Sequence, residues 1–164
     1  AENYFKLLSY DCNTLTMYND MLLPYDGTKE ADKGVEHGIE LAAEVGSTVH
    51  GLYVISLPGA PRAVALRDDE EEIRREYEEY GESVLNDLGS MAAEAGVDYE
   101  SHILTGSPSD EIVTFAAEAE MDVIVIGSAY RGKLGNLIGG TTDKVVRSAS
   151  VPVITRRMEA DEIS

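Results

Sequence analysis

With 164 residues, the chain has room for one domain and not for two ordinary ones, and 43% hydrophobic residues suffice for one packed core. Its apolar runs are only a few residues long, too short for a membrane-spanning helix, and no basic stretch leads into an apolar one as an export signal would, so a cytoplasmic location is expected. The 31 acids against 13 bases give a net charge of −18, which repels phosphate backbones and argues against nucleic-acid binding.

Residues 1–16 show no periodicity and no turn pattern, and are expected to be an N-terminal extension or remnant outside the fold, Cys12 with them. From there strand and helix patterns alternate. Met21–Tyr25 is a short apolar run, followed by Asp26-Gly27-Thr28, a turn and cap signal. Ala31, Val35, Gly38, Ile39 and Ala42 then mark one face of a helix ending near Gly46. Ser47–Ile55 reads as the second strand, and Pro58, Gly59 and Pro61 mark a loop. A long helix is expected from about Asp68 to Gly96, with Ile73, Tyr77, Tyr80, Val84, Leu88, Met91 and Ala95 as a continuous buried stripe.

Tyr99–Leu104 alternates as a third strand. Ser107, Pro108 and Asp110 open a helix as N-cap, first-turn proline and third-position acid, with Ile112, Phe115, Ala116 and Ala119 on its buried face. Met121–Ile126 is apolar throughout, as a central parallel strand should be. A loop over residues 127–140 leads into a short helix, Thr142–Ser148. Val151–Thr155 is the last strand, and Pro152 favours an edge or strand-start position. The acidic tail, residues 158–164, is expected to fray. The order is βαβαβαβαβ, so the expected fold is an α/β five-stranded parallel sheet with helices on both faces.

The acids cluster between Asp68 and Glu79, where a solvated helix face is expected. With only five lysines, the composition also suits a high-salt, halophilic cytoplasm, where salt screens the self-repulsion. Residues 127–147 reverse the trend: Arg131, Lys133, Lys144 and Arg147 stand against the single acid Asp143, an island suited to an anionic ligand. In such sheets ligands bind beyond the carboxyl ends of the strands. Two ends stand out: Pro24-Tyr25-Asp26-Gly27, and the glycine-rich GSAYRGKLGNLIGGTTDK, residues 127–144, where backbone N–H groups and a helix start can meet phosphate. Neither a Walker loop nor a dinucleotide fingerprint is present. Cys12 stands alone, and His37, His50 and His102 have no metal-ligand spacing and no evident acid partner. His50 and His102 are expected to be structural, no catalytic residues are assigned and no protein-ligated metal is expected.

The stretches MLLPYDG, LYVI, TGSPSDEIV, MDVIVIGS and GGTTDKVVRSASVPVIT, spread from Met17 to Arg157, resemble the universal stress protein family. The resemblance implies a single domain over residues 17–157 with an adenine-nucleotide hydrolase-like Rossmann topology, and commonly a homodimer through the last strand, residues 151–155. One branch binds ATP through a G-x2-G-x9-G-[S/T] loop. Here Gly127, Gly140 and Thr141 fill that pattern, while Tyr130 replaces the second glycine and Ala129 stands where many members carry histidine. The resemblance implies a stress-response regulator binding ATP or another adenine nucleotide. Pro24 and Val54 would lie along the adenine pocket, Val54 offering backbone hydrogen bonds, with Tyr25 as a rim or core aromatic of the same site. Asp26 would lie near the ribose or adenine, with Mg²⁺ reaching it through the nucleotide. Gly127, Ser128, Tyr130, Arg131, Gly132, Lys133, Gly140, Thr141 and Thr142 would form the phosphate loop. The alternatives are a dimeric interaction module whose Tyr130 fills the phosphate site, and a slow ATP hydrolase.

Overall fold

The computed structural model describes residues 17–57, 67–129, 140–159 and 161. Cys12, Pro58, Gly59, Pro61 and the segment from Tyr130 to Gly139, which holds Arg131, Gly132 and Lys133, lie outside the described residues. In chain order the elements are β1 (Asp20–Pro24), α1 (Lys29–Val45), β2 (Thr48–Ile55), α2 (Arg67–Glu94), β3 (Tyr99–Thr105), α3 (Pro108–Glu118), β4 (Val123–Ser128), α4 (Thr141–Ser148) and β5 (Val153–Arg157).

The five strands form one parallel sheet in the order β3-β2-β1-β4-β5. β1 and β4 are central and buried, and β5 is the expected edge. Alternate residues of each strand face opposite sides. Met21, Leu23, Val49, Val123 and Val125 pack against α1 and α2, whereas Leu22, Leu52, Ile124 and Ile126 pack against α3 and α4. The sheet therefore has helices on both faces and a core on each side. α1 buries Gly34, Val35, Gly38, Ile39 and Ala42, close to the expected face, and ends at Gly46, whose φ of 75° is the left-handed conformation glycine adopts at little cost.

α2 departs from expectation. Its 28 residues run about 42 Å, whereas the 8 residues of β2 span about 26 Å. Only the carboxyl half has sheet to lie on: Val84, Leu85, Leu88 and Ala92 are buried, while Ile73 is 43% and Tyr80 49% exposed. Tyr77 and Ala95 are exposed as well, so the stripe that the periodicity marks is buried only in its middle. The described acids of α2 up to Glu79 are exposed, as expected of a solvated face, with Arg75 near Glu72 and Glu79.

Three smaller expectations are also corrected. Ser107 has the extended backbone of an N-cap, but its side chain makes no capping hydrogen bond. Ala119 is exposed because it lies past the last turn of α3. The acidic tail does not fray from its start, since Met158 is buried and its N–H donates to Ser128 O at 3.0 Å.

Candidate functional site

β1 sends the chain to β2 on one side, and β4 lies on the other, so the β1–β4 junction is where strand order switches. A cavity of about 460 Å³ opens beyond the carboxyl ends of these strands. It gathers Pro24, Tyr25, Asp26, Val54, Gly127, Ser128, Gly140, Thr141 and Thr142 from four separate stretches of sequence. Tyr130, Arg131, Gly132 and Lys133 lie outside the described residues. Thr28, Glu30, Ala31, Tyr53, Ser56, Tyr77, Pro108 and Ile112 also line the cavity, and the sequence reading assigned none of them. Tyr77 had a signal: it sits among Glu76, Glu78 and Glu79, poor company for a core residue.

Asp26 does not cap α1. That cap is Thr28, whose hydroxyl accepts from Ala31 N–H. Asp26 Oδ1 instead accepts from Thr28 N–H at 3.0 Å and from the Thr28 hydroxyl at 2.6 Å, holding the capping threonine in place. Its exposed carboxylate stands on the cavity rim. Tyr80, from the overhanging half of α2, donates to Asp26 O at 3.1 Å and ties that helix to the rim. Tyr25 is half-buried, and its hydroxyl donates to Asp32 Oδ1 at 2.6 Å. Burial and then this acceptor push its pKa well above the usual tyrosine value, so it stays neutral.

Val54 offers backbone groups for a physical reason. The last rung between β1 and β2 is Tyr25 N–H donating to Leu52 O at 2.9 Å. Backbone groups two residues apart point the same way, so those of Val54 face the space where β1 has already left the sheet.

Gly127 is fixed by packing. A Cβ built there would overlap Glu30 O, because α1 lies directly on the end of β4. Thr142 Oγ1 donates to Gly127 O at 2.7 Å, which ties α4 to β4 and occupies the hydroxyl proton. Neither threonine caps α4: the N-cap is Gly140, without a side-chain cap bond. The first N–H groups of α4 thus meet the cavity without a capping side chain, and these groups attract anions. A Cβ on Gly140 would meet no atom of the described residues within 4 Å.

The histidines correct the sequence reading at the other end of the sheet. His50 Nε2 lies 2.9 Å from Asp20 Oδ1, and His50 Nδ1 lies 3.2 Å from His102 Nε2 and 3.7 Å from Glu100 Oε2. Acid partners are therefore present, brought in by neighbouring strands. Burial, and then His50, lower the pKa of His102.

No helix among the described residues is long and apolar enough to cross a membrane. Residues 17–157 match the model of the universal stress protein family. The chain is 31% identical over 158 residues to universal stress protein MJ0531 of Methanocaldococcus jannaschii, covering 94% of this chain and 91% of that protein. Among solved structures, the universal stress protein of Archaeoglobus fulgidus in complex with dAMP is 26% identical, with a TM-score of 0.57 over 85% of this chain and 98% of that one. An Arabidopsis thaliana protein of the same family with AMP bound has a TM-score of 0.68 at 22% identity, over 89% of this chain and 95% of that one. The sheet, the order of its motifs and these matches agree: the chain belongs to the universal stress protein family.

Proposed function

We propose that this protein binds an adenine nucleotide, ATP with Mg²⁺ in its full form, as a cytoplasmic stress-response regulator. The observation that carries this reading is the cavity at the β1–β4 junction, which joins an apolar floor, free strand-edge groups at Val54 and the uncapped start of α4. The relatives bound to dAMP and AMP support the same ligand class. In this reading the base lies along Pro24 and Val54, Asp26 meets the ribose, and the phosphates meet Gly140 and Thr141 at the helix start. The hydroxyl of Thr142 is already committed to Gly127 O, so Thr142 contributes its N–H. Arg131 and Lys133 supply neutralising charge. β5 is the edge of the sheet, and residues 151–155 are the surface through which two copies would pair.

The test is calorimetric titration of the purified protein with ATP and AMP, in molar KCl with Mg²⁺. Micromolar, one-to-one binding is expected, and Gly140→Leu should abolish it. That variant suits the purpose because the position has an ordinary φ of −65° and a Cβ there meets none of the described residues within 4 Å, so the described fold tolerates a side chain. No binding by the unaltered protein, or full binding by Gly140→Leu, removes the assignment.

A further inference from the structure

The amino end of the sheet carries a second constellation, across the molecule from the cavity. Three adjacent strands contribute to it: Asp20 from β1, His50 from β2, and Glu100 and His102 from β3. Register places His50 opposite Glu100, and His102 opposite Leu52, two residues further along β2. All four side chains belong to the face covered by α3, where His102 packs on Phe115 at a ring distance of 4.7 Å.

We propose that this cluster is a binding site for a divalent transition metal ion of the Zn²⁺ class, with His50 Nδ1, His102 Nε2 and Glu100 as ligands and Asp20 orienting His50. The three ligand atoms lie within 4.8 Å of one another. His50 Nδ1 and His102 Nε2 are 3.2 Å apart, and two nitrogens on one tetrahedral zinc stand about 3.4 Å apart. Glu100 Oε2 is 3.7 Å from His50 Nδ1, and its side chain is 63% exposed, so it is free to close on an ion.

Asp20 supplies the feature that separates a ligand set from a chance cluster. By accepting from His50 Nε2–H, it fixes the tautomer whose Nδ1 lone pair points at the other two groups. A carboxylate behind a ligating imidazole is the usual supporting arrangement at metal centres. With both rings neutral, Asp20 and Glu100 give the cluster a formal charge of −2, which a dication cancels. Three protein ligands leave a fourth position for water, on the side that Glu100 opens to solvent.

The experiment uses the full chain, stripped with chelator and titrated with Zn²⁺ by calorimetry and with Co²⁺ by visible absorption. One-to-one binding with the strong absorption of four-coordinate Co²⁺ is expected. Glu100→Gln, at an exposed position, should weaken Zn²⁺ binding at least tenfold, and Asp20→Asn by about 10- to 100-fold. His102→Gln should remove the Co²⁺ spectrum. Gly140→Leu should leave binding unchanged, which separates this site from the nucleotide reading. No stoichiometric binding, or Glu100→Gln and His102→Gln binding like the unaltered protein, would mean that the two rings share only a hydrogen bond and that metal collects on the acidic surface, and the proposal falls.

Discussion

The two halves of α2 share one helix and have opposite surroundings. From Gly81 to Ala92 the helix lies on β2 and β3, with Val84, Leu85, Leu88 and Ala92 buried. From Glu71 to Tyr80 every residue is exposed, and the helix runs on past the ends of the strands. The packed half supplies stability. The overhanging half supplies a wall, since Tyr77 lines the cavity and Tyr80 reaches Asp26 O. The lesson is that a helix longer than its sheet becomes part of whatever opens at the end of the sheet.

Four substitutions test that division. Leu88→Ala should cost most, about 2–5 kcal/mol, because the side chain is 0% exposed and its loss leaves a cavity. Urea unfolding measures it, and a loss below about 1 kcal/mol would deny the packed half its anchoring role. Gly81→Ala comes next. Helix propensity alone would stabilise by about 0.8–1 kcal/mol. The new Cβ would, however, overlap the buried ring of Tyr53, and overpacking costs about 1–3 kcal/mol. Net destabilisation is expected, and a rise in the unfolding midpoint would show that the helix can lift off Tyr53.

Tyr99→Phe follows. Tyr99 donates to Leu85 O at 2.8 Å, and this bond is worth about 0.5–1.5 kcal/mol. Burial pushes the Tyr99 pKa up to about 12 from 10.0. Between those values the unfolded chain has lost the proton and the folded chain has kept it. Tyr99 therefore stabilises fully below pH 10, and that contribution is lost as pH rises towards 12. Tyr25 and Tyr53 are shifted the same way, so Tyr99→Phe should reduce the alkaline slope by about one proton and not remove it. An unchanged slope in unfolding curves between pH 9 and 12 would contradict the assignment. Ile73→Ala, on the overhang, should change stability by less than about 0.5 kcal/mol. A loss near that of Leu88→Ala would mean that the overhang is packed in solution.

What the sequence made legible follows from the same distinction. The order of strands and helices was readable because each carries its own period, as in the buried face of α1 and the unbroken apolar run of β4. The strand-end residues of the cavity were readable because turn chemistry and glycines mark them. The stripe on α2 failed in its amino half, because periodicity records which residues share a face and not whether anything lies opposite. Tyr77 was hidden for that reason. The partners of His50 were hidden for another: Asp20, Glu100 and His102 come from neighbouring strands, and only register brings them within 4 Å of the ring. The turn and cap signal at Asp26-Gly27-Thr28 left open which residue caps, because aspartate serves equally well two residues before a cap, where it holds the capping Thr28.

The place of β1 in the sheet also bears on how the chain is made. Its outer neighbour is β4, and Asp20 N–H donates to Asp122 Oδ2 across 102 positions of sequence. β1, α1, β2, α2 and β3 all leave the ribosome before that partner exists. Until β4 emerges, the most apolar strand of the nascent sheet is an edge strand, with a row of unpaired N–H and C=O groups facing its surroundings. The docking of β4 is thus a late step of synthesis that covers the open edge of β1, and the same step builds the mouth of the cavity.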